Sequence, residues 1–329
     1  MAKVALEAPT LADVVAARDR IRAYLPATPL RNYPSLDRLT GAEVWVKHDN
    51  LLPTGAFNRG GVNLISQMDA ATRARGVIAA STGNHGQSVA FASQLFGVRA
   101  TVVAPEGANP VKVEAMRDFG AEVLLQGHDY DESREHCERL AAQHGYRYIH
   151  SGDEPHLIAG VGTHTLEILE ERPDIEALIV PIGGGSGAAG TCIVAKATRP
   201  GIEVIAVQSA QAPTAHDSWR ERKLVERPNT TVAEGLSTRT AFELPQRILR
   251  ELLDDFVLMS DESILDAVAI MVEKTRTLVE PAGAAPLAAL LSPALGDRLR
   301  GKRVALICSG ANISPAQLRA VMARGKPPA

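Results

Sequence analysis

Just past an apolar run from Ala177 to Val180 the chain reads Pro181-Ile182-Gly183-Gly184-Gly185-Ser186-Gly187-Ala188-Ala189-Gly190, then continues apolar through Val194 and Ala197. Glycines let backbone N–H groups approach an anion closely, and a helix start carries partial positive charge, so this turn suits a phosphate. As bare structure it would be a tight strand-to-helix turn; four glycines between 183 and 187 favour a ligand. Gly185-x-Gly187-x-x-Gly190 also matches a dinucleotide fingerprint, which asks for an acidic residue about 20 positions on to hold a ribose. The next apolar run, Val204 to Val207, ends instead in Gln208, which disfavours a nicotinamide-dependent dehydrogenase. No Gly-Lys-Ser/Thr is present, so a P-loop is excluded.

Three further turns offer chemistry. Ser81-Thr82-Gly83-Asn84-His85-Gly86-Gln87 sets hydroxyls, an amide and N–H groups at a helix start, a seat for a carboxylate or equally a plain capped helix. Thr54-Gly55-Ala56-Phe57-Asn58-Arg59-Gly60-Gly61 combines close-approach glycines with an aromatic face and a cation. Cys308-Ser309-Gly310-Ala311-Asn312 puts a small hydroxyl after the last apolar run; alone, such a serine usually caps a helix. All four turns follow a strand, and open α/β sheets bind ligands at that edge. One shared crevice explains them better than four coincidences.

The elements that must carry these turns alternate. A helix is expected from Leu11 to about Tyr24, with Thr10 and Asp13 as its capping box and Pro26 beyond it. Strands are expected at Glu43–Lys47, Val77–Ser81, Thr101–Ala104, Val123–Leu125, Tyr146–His150, Ala177–Val180, Val204–Val207 and Val304–Cys308. Helices fall between them at 86–96, 110–119 and 131–143. The pattern predicts an α/β protein with open, mostly parallel sheets covered by helices on both faces. At 329 residues two lobes are expected. The polar stretch Ser151–Pro155 marks a division, giving a large domain from 1–60 and 151–329 and a small one from 61–150.

Bulk properties narrow the partners. A net charge of -3 leaves no basic footprint for nucleic acid and no attraction to anionic membranes. The three scattered cysteines Cys137, Cys192 and Cys308 suit a reducing compartment. No apolar run approaches a bilayer span, and Met1–Pro9 has no signal-peptide core, so a cytoplasmic protein is expected. Only Gly325–Ala329 reads as a loose tail.

Taken in order, the motifs resemble fold-type II pyridoxal-phosphate enzymes of the threonine/serine dehydratase and serine racemase branch. The resemblance rests on Thr28-Pro29-Leu30, Lys47-His48-Asp49-Asn50, Thr54-Gly55-Ala56-Phe57, Ser81 to Gly86, Ala159-Gly160-Val161-Gly162-Thr163, Gly183-Gly184-Gly185, Glu280 to Ala285 and Ser309 to Asn312. It implies a two-lobed architecture, pyridoxal 5'-phosphate as cofactor, an amino-acid substrate and a homodimer or homo-oligomer. Gly183, Gly184, Gly185, Ser186 and Gly187 would hold the cofactor phosphate, Asn84 the ring hydroxyl, and Phe57 would pack by the ring. Glu280 would lie near the ring, and Ser309 would face the pyridine nitrogen. Ser81, Thr82, Gly83, Asn84 and His85 would take the substrate carboxylate, with Ser81 and Thr82 beside the chemistry. A hydroxyl at Ser309 does not keep the pyridine nitrogen protonated, which favours prompt loss of a β-hydroxyl over transamination. The implied reaction is dehydration and deamination of a β-hydroxy amino acid to a 2-keto acid and ammonia.

The chain departs from that family at one decisive place. There, phenylalanine precedes the Schiff-base lysine, a variable residue and Arg-Gly; here Phe57 precedes Asn58-Arg59-Gly60 directly. The lysine would stand between Phe57 and Asn58. Either it is deleted, leaving a silent cofactor or amino-acid binding protein, or it carries the cofactor covalently as a modified residue outside the written letters. Lys47 is no substitute, because the family pattern already has a lysine there. Thr82 stands where the racemase has its second base, so racemisation is not expected. Gln208, Ala212 and Thr214 replace that enzyme's acidic cation site, so no metal is expected. The regulatory domain of the biosynthetic threonine enzymes is not expected either, because the chain ends soon after Ser309-Gly310.

Overall fold

A computed structural model describes residues 6–324; Gly325–Ala329 and the start of the Met1–Pro9 stretch lie outside the described residues. Among the described residues ten strands form two sheets: β1 (Leu30–Asn32), β2 (Glu43–His48), β3 (Val77–Ala80), β4 (Ala100–Ala104), β5 (Glu122–Leu125), β6 (Arg147–Tyr148), β7 (Ala177–Pro181), β8 (Glu203–Ser209), β9 (Asp255–Met259) and β10 (Arg303–Cys308). The larger sheet runs β1-β2-β10-β7-β8-β9 and the smaller β5-β4-β3-β6. Every pairing is parallel except β1 with β2. The cause is legible in β3, β4 and β10, whose Val77–Ala80, Ala100–Ala104 and Val304–Cys308 are buried without alternation, as strands covered on both faces must be.

The first helix, Leu11–Ile21, has the expected Thr10–Asp13 capping box but stops short of Tyr24. The expected strand 146–150 is confined to Arg147–Tyr148, with one further bond from the Ile149 N–H to the Ile78 carbonyl at 2.8 Å. β1 and β9 were not legible. β1 has three residues, and β9 mixes Asp255 with mostly half-buried positions. Among the described residues no helix is long and apolar enough to cross a membrane.

Helices Pro155–Glu171 and Ser186–Thr198 meet backbone to backbone, where a methyl on Gly190 would lie 2.8 Å from the Gly162 Cα. A side chain at either position would force the helices apart, so the glycines set this contact.

At the end of β2, buried His48 lies 2.8 Å from the Tyr33 hydroxyl through Nε2 and 3.1 Å from Asn50 Oδ1 through Nδ1. Burial pushes its pKa down to about 4 from 6.5. Below pH 6.5 the unfolded chain therefore binds the proton that folded His48 refuses, and stability falls as pH drops toward about 4. The difference is worth roughly 3 kcal/mol at most. The loss in urea-unfolding stability between pH 7 and 4.5 is expected to be smaller in His48→Gln than in the parent.

Candidate active site

A crevice opens at the carboxyl ends of β3, β7 and β10, the edge where the four turns were expected to meet. Phe57, Ser81, Thr82, Asn84, His85, Gly183 to Gly187 and Ser309 all line it. Asn58, Gly83 and Glu280 do not; Gly83 packs against the Lys112 side chain, and Glu280 reaches the crevice only through its partners.

The glycine turn is built for close approach. Gly185 adopts φ +93°, a left-handed conformation that disfavours side chains. A methyl on Gly183 would overlap the carbonyl oxygen of Gly235, and one on Gly184 the ring of Phe242. Helix Ser186–Thr198 has no side-chain cap, so its first N–H groups are available to a bound anion.

Across the crevice, Ser81 Oγ accepts from the N–H groups of Gly83 at 3.0 Å and Gly86 at 2.8 Å, fixing the turn that starts helix Asn84–Leu95. His85 Nε2 lies 3.3 Å from the Ile149 carbonyl and donates to it. Burial drives the His85 pKa down to about 4, so the ring is neutral at pH 7 and a carboxylate would be met by N–H and hydroxyl groups rather than by an imidazolium.

The third wall is cross-braced. The Phe57 N–H donates to the Ser309 carbonyl at 3.1 Å, and Glu280 N–H to the Gly310 carbonyl at 3.0 Å. Asn84 donates to Glu280 Oε1 at 2.5 Å while its own Oδ1 accepts from Asn312 at 2.9 Å. Lys112 Nζ lies 3.2 Å from Glu280 and 2.8 Å from Glu234. Burial pulls the Lys112 pKa down, but the two carboxylates outweigh it and the net shift is upward. Lys112 is thus held as an ammonium and is not a nucleophilic amine.

It is also the one lysine lining the crevice among the described residues. Lys47 is buried elsewhere, 2.5 Å from Glu167 and 2.6 Å from the Thr28 carbonyl. Asn58, fully buried after Phe57, has neither amide atom hydrogen-bonded. Two unpaired polar atoms in a dry site are costly, so the mismatch falls at the junction where the family keeps its lysine.

Lys112, Tyr130, Ser151 and Glu234 also line the crevice, and the sequence alone gives no sign of it. The stretch 235–242 contributes Gly235, Ser237, Thr238 and Phe242, whereas 210–219 contributes nothing. The latter is turned away because Gln208 Oε1 accepts the N–H groups of Ala215 and His216, both at 3.1 Å. A lysine on the amphipathic helix Pro110–Asp118, beside buried Val113 and Met116, gives no signal of its own burial in the sequence, since its carboxylate partners lie more than 100 residues away.

A family model described as pyridoxal-phosphate dependent enzyme matches residues 21–310. The L-threonine ammonia-lyase of Geobacter sulfurreducens is 40% identical over 311 residues, covering 94% of this chain and 77% of that protein. Among solved structures, a threonine deaminase from T.th. superposes with a TM-score of 0.87 at 36% identity, covering 93% of this chain and 99% of that one. Serine racemase from Dictyostelium discoideum gives 0.87 at 34%, with the same coverages of 93% and 99%.

Proposed function

The chain belongs to the pyridoxal-phosphate dependent enzymes, and on that premise we propose that it removes water from a β-hydroxy amino acid such as threonine or serine, releasing a 2-keto acid and ammonia. The convergence of the phosphate-type turn, the carboxylate-type turn and Ser309 on one crevice carries this reading. The uncapped helix start fits a phosphate, and the crevice between Phe57 and Ser309 fits a ring. When bound, the cofactor supplies an electron-withdrawing ring that stabilises charge at the substrate Cα.

The protein's own groups do the rest. N–H groups from Gly183 to Gly187 hold the phosphate. Asn84, whose carbonyl is committed to Asn312, keeps its second N–H for the ring hydroxyl. Ser309 offers a hydroxyl to the pyridine nitrogen without charging it. The turn from Ser81 to His85 orients the substrate carboxylate, and Phe242 and Tyr130 exclude water from the mouth. The protein is read as a cytoplasmic homo-oligomer, with 1–60 and 151–329 as its large domain and 61–150 as its small one; light scattering tests the assembly.

The base at Cα is the group the written sequence lacks, and elimination requires an amine beside Phe57. Intact mass before and after borohydride tests this directly, followed by a keto-acid assay on threonine, serine and other hydroxy amino acids. A covalent adduct and keto acid are expected. A colourless protein that releases no ammonia from any of them defeats the proposal. The direct Phe57–Asn58 junction favours a second reading, a silent cofactor or amino-acid binding protein. Peptide sequencing across that junction decides between the two.

Gly183→Val is expected to weaken pyridoxal-phosphate binding by 100-fold or more, on the order of 3 kcal/mol, because the Gly235 backbone cannot yield. Absorbance titration measures it.

A further inference from the structure

We infer that His164 is a positioning residue that sets the phosphate turn against the wall carrying Phe57, an inference that rests on the cofactor reading above. His164 is buried in helix Pro155–Glu171 and lines the inner end of the crevice. Its Nδ1 lies 3.0 Å from Asp49 Oδ2 and its Nε2 3.0 Å from Thr191 Oγ1. Thr191 in turn donates to the Gly187 carbonyl at 2.9 Å, inside the glycine turn's own helix. Asp49 opens the short turn Asp49–Leu51 that leads to Thr54 and Phe57. One imidazole therefore ties the wall beside the ring to the first turn of the helix that meets the phosphate.

The proton positions follow from the partners. Burial pushes the Asp49 carboxyl pKa upward, but Arg59 and the His164 hydrogen bond outweigh it and hold it well below the usual range. Asp49 is thus a carboxylate that only accepts, and Nδ1 carries a proton. Thr191 gives its hydrogen to Gly187 and accepts from Thr165 at 3.1 Å, and the same oxygen lies 3.0 Å from Nε2. The ring thus braces two walls, one through each nitrogen. The Gly162–Gly190 contact brings the two helices close enough for this bridge.

The test compares His164→Gln and Thr191→Val, the second of which keeps shape while removing the acceptor. Titration with pyridoxal 5'-phosphate is expected to show about tenfold weaker binding in each variant, and titration with pyridoxal, which lacks the phosphate, a change below about twofold. Amide exchange across residues 183–191 is expected to quicken in both variants. Equal weakening toward both ligands, or unchanged exchange at 183–191, would overturn the inference. If the parent binds no pyridoxal phosphate, the cofactor reading fails, and the exchange comparison still decides whether His164 sets the turn.

Discussion

A lysine inserted between Phe57 and Asn58 is expected to raise keto-acid release from threonine or serine by roughly 10²–10⁴-fold over a polypeptide in which the two are joined directly, the share a positioned general base contributes. The argument is one of elimination within the crevice. Lys112 is locked between Glu234 and Glu280, and Lys47 is spent on Glu167 behind the wall. No other lysine lines the crevice among the described residues. The phosphate turn, the carboxylate turn and Ser309 still surround the space, and beside it Asn58 is a buried amide with no partner. Two synthetic genes, with and without the insertion, isolate the effect. The directly joined form is expected to bind pyridoxal phosphate reversibly and lose it on dialysis after borohydride. The inserted form is expected to retain it. Equal turnover from both forms would show that another group removes the proton.

The same residues show how far the sequence carried. Continuous apolar runs such as Val77–Ala80 and Val304–Cys308 announce buried parallel strands because nothing in them needs water. Glycine turns announce a ligand edge because their backbone freedom has few other uses there. What stayed hidden depends on distance along the chain. Lys112, Glu234 and Glu280 look like surface charges until folding brings helix Pro110–Asp118 against residues more than 100 positions away. His164 and Thr191 look like ordinary helix residues until two glycines let their helices touch. β1 and β9 were missed because three residues, or five largely half-buried ones, carry too little pattern to stand out.

The second large effect is one of stability, and it reaches the crevice through Arg59. Both Lys47 and Arg59 are buried cations, and both rest on Glu167, which Arg59 meets with two nitrogens at 2.5 and 3.0 Å. Asp49 lies 3.6 Å from Arg59 and already serves Thr28 and His164, so it cannot take over. Removing one member of a buried charge cluster strands the others away from water, and typically costs about 3–5 kcal/mol. Glu167→Ala is therefore expected to lose a large fraction of the 5–15 kcal/mol or so that holds a typical native protein together. The midpoint of thermal unfolding should fall on the order of 5 °C in a chain of this size. By contrast, Glu170→Ala, which breaks only the exposed pair with Arg18, is expected to cost less than about 1 kcal/mol. Adding Lys47→Met to Glu167→Ala should recover part of the loss, since it removes one stranded cation. That non-additive recovery distinguishes electrostatic stranding from a simple cavity. Arg59 begins helix Arg59–Ser66 one residue after Asn58. A protein loosened at Glu167 should consequently also hold Phe57 less firmly against Ser309, and its cofactor affinity should fall together with its stability.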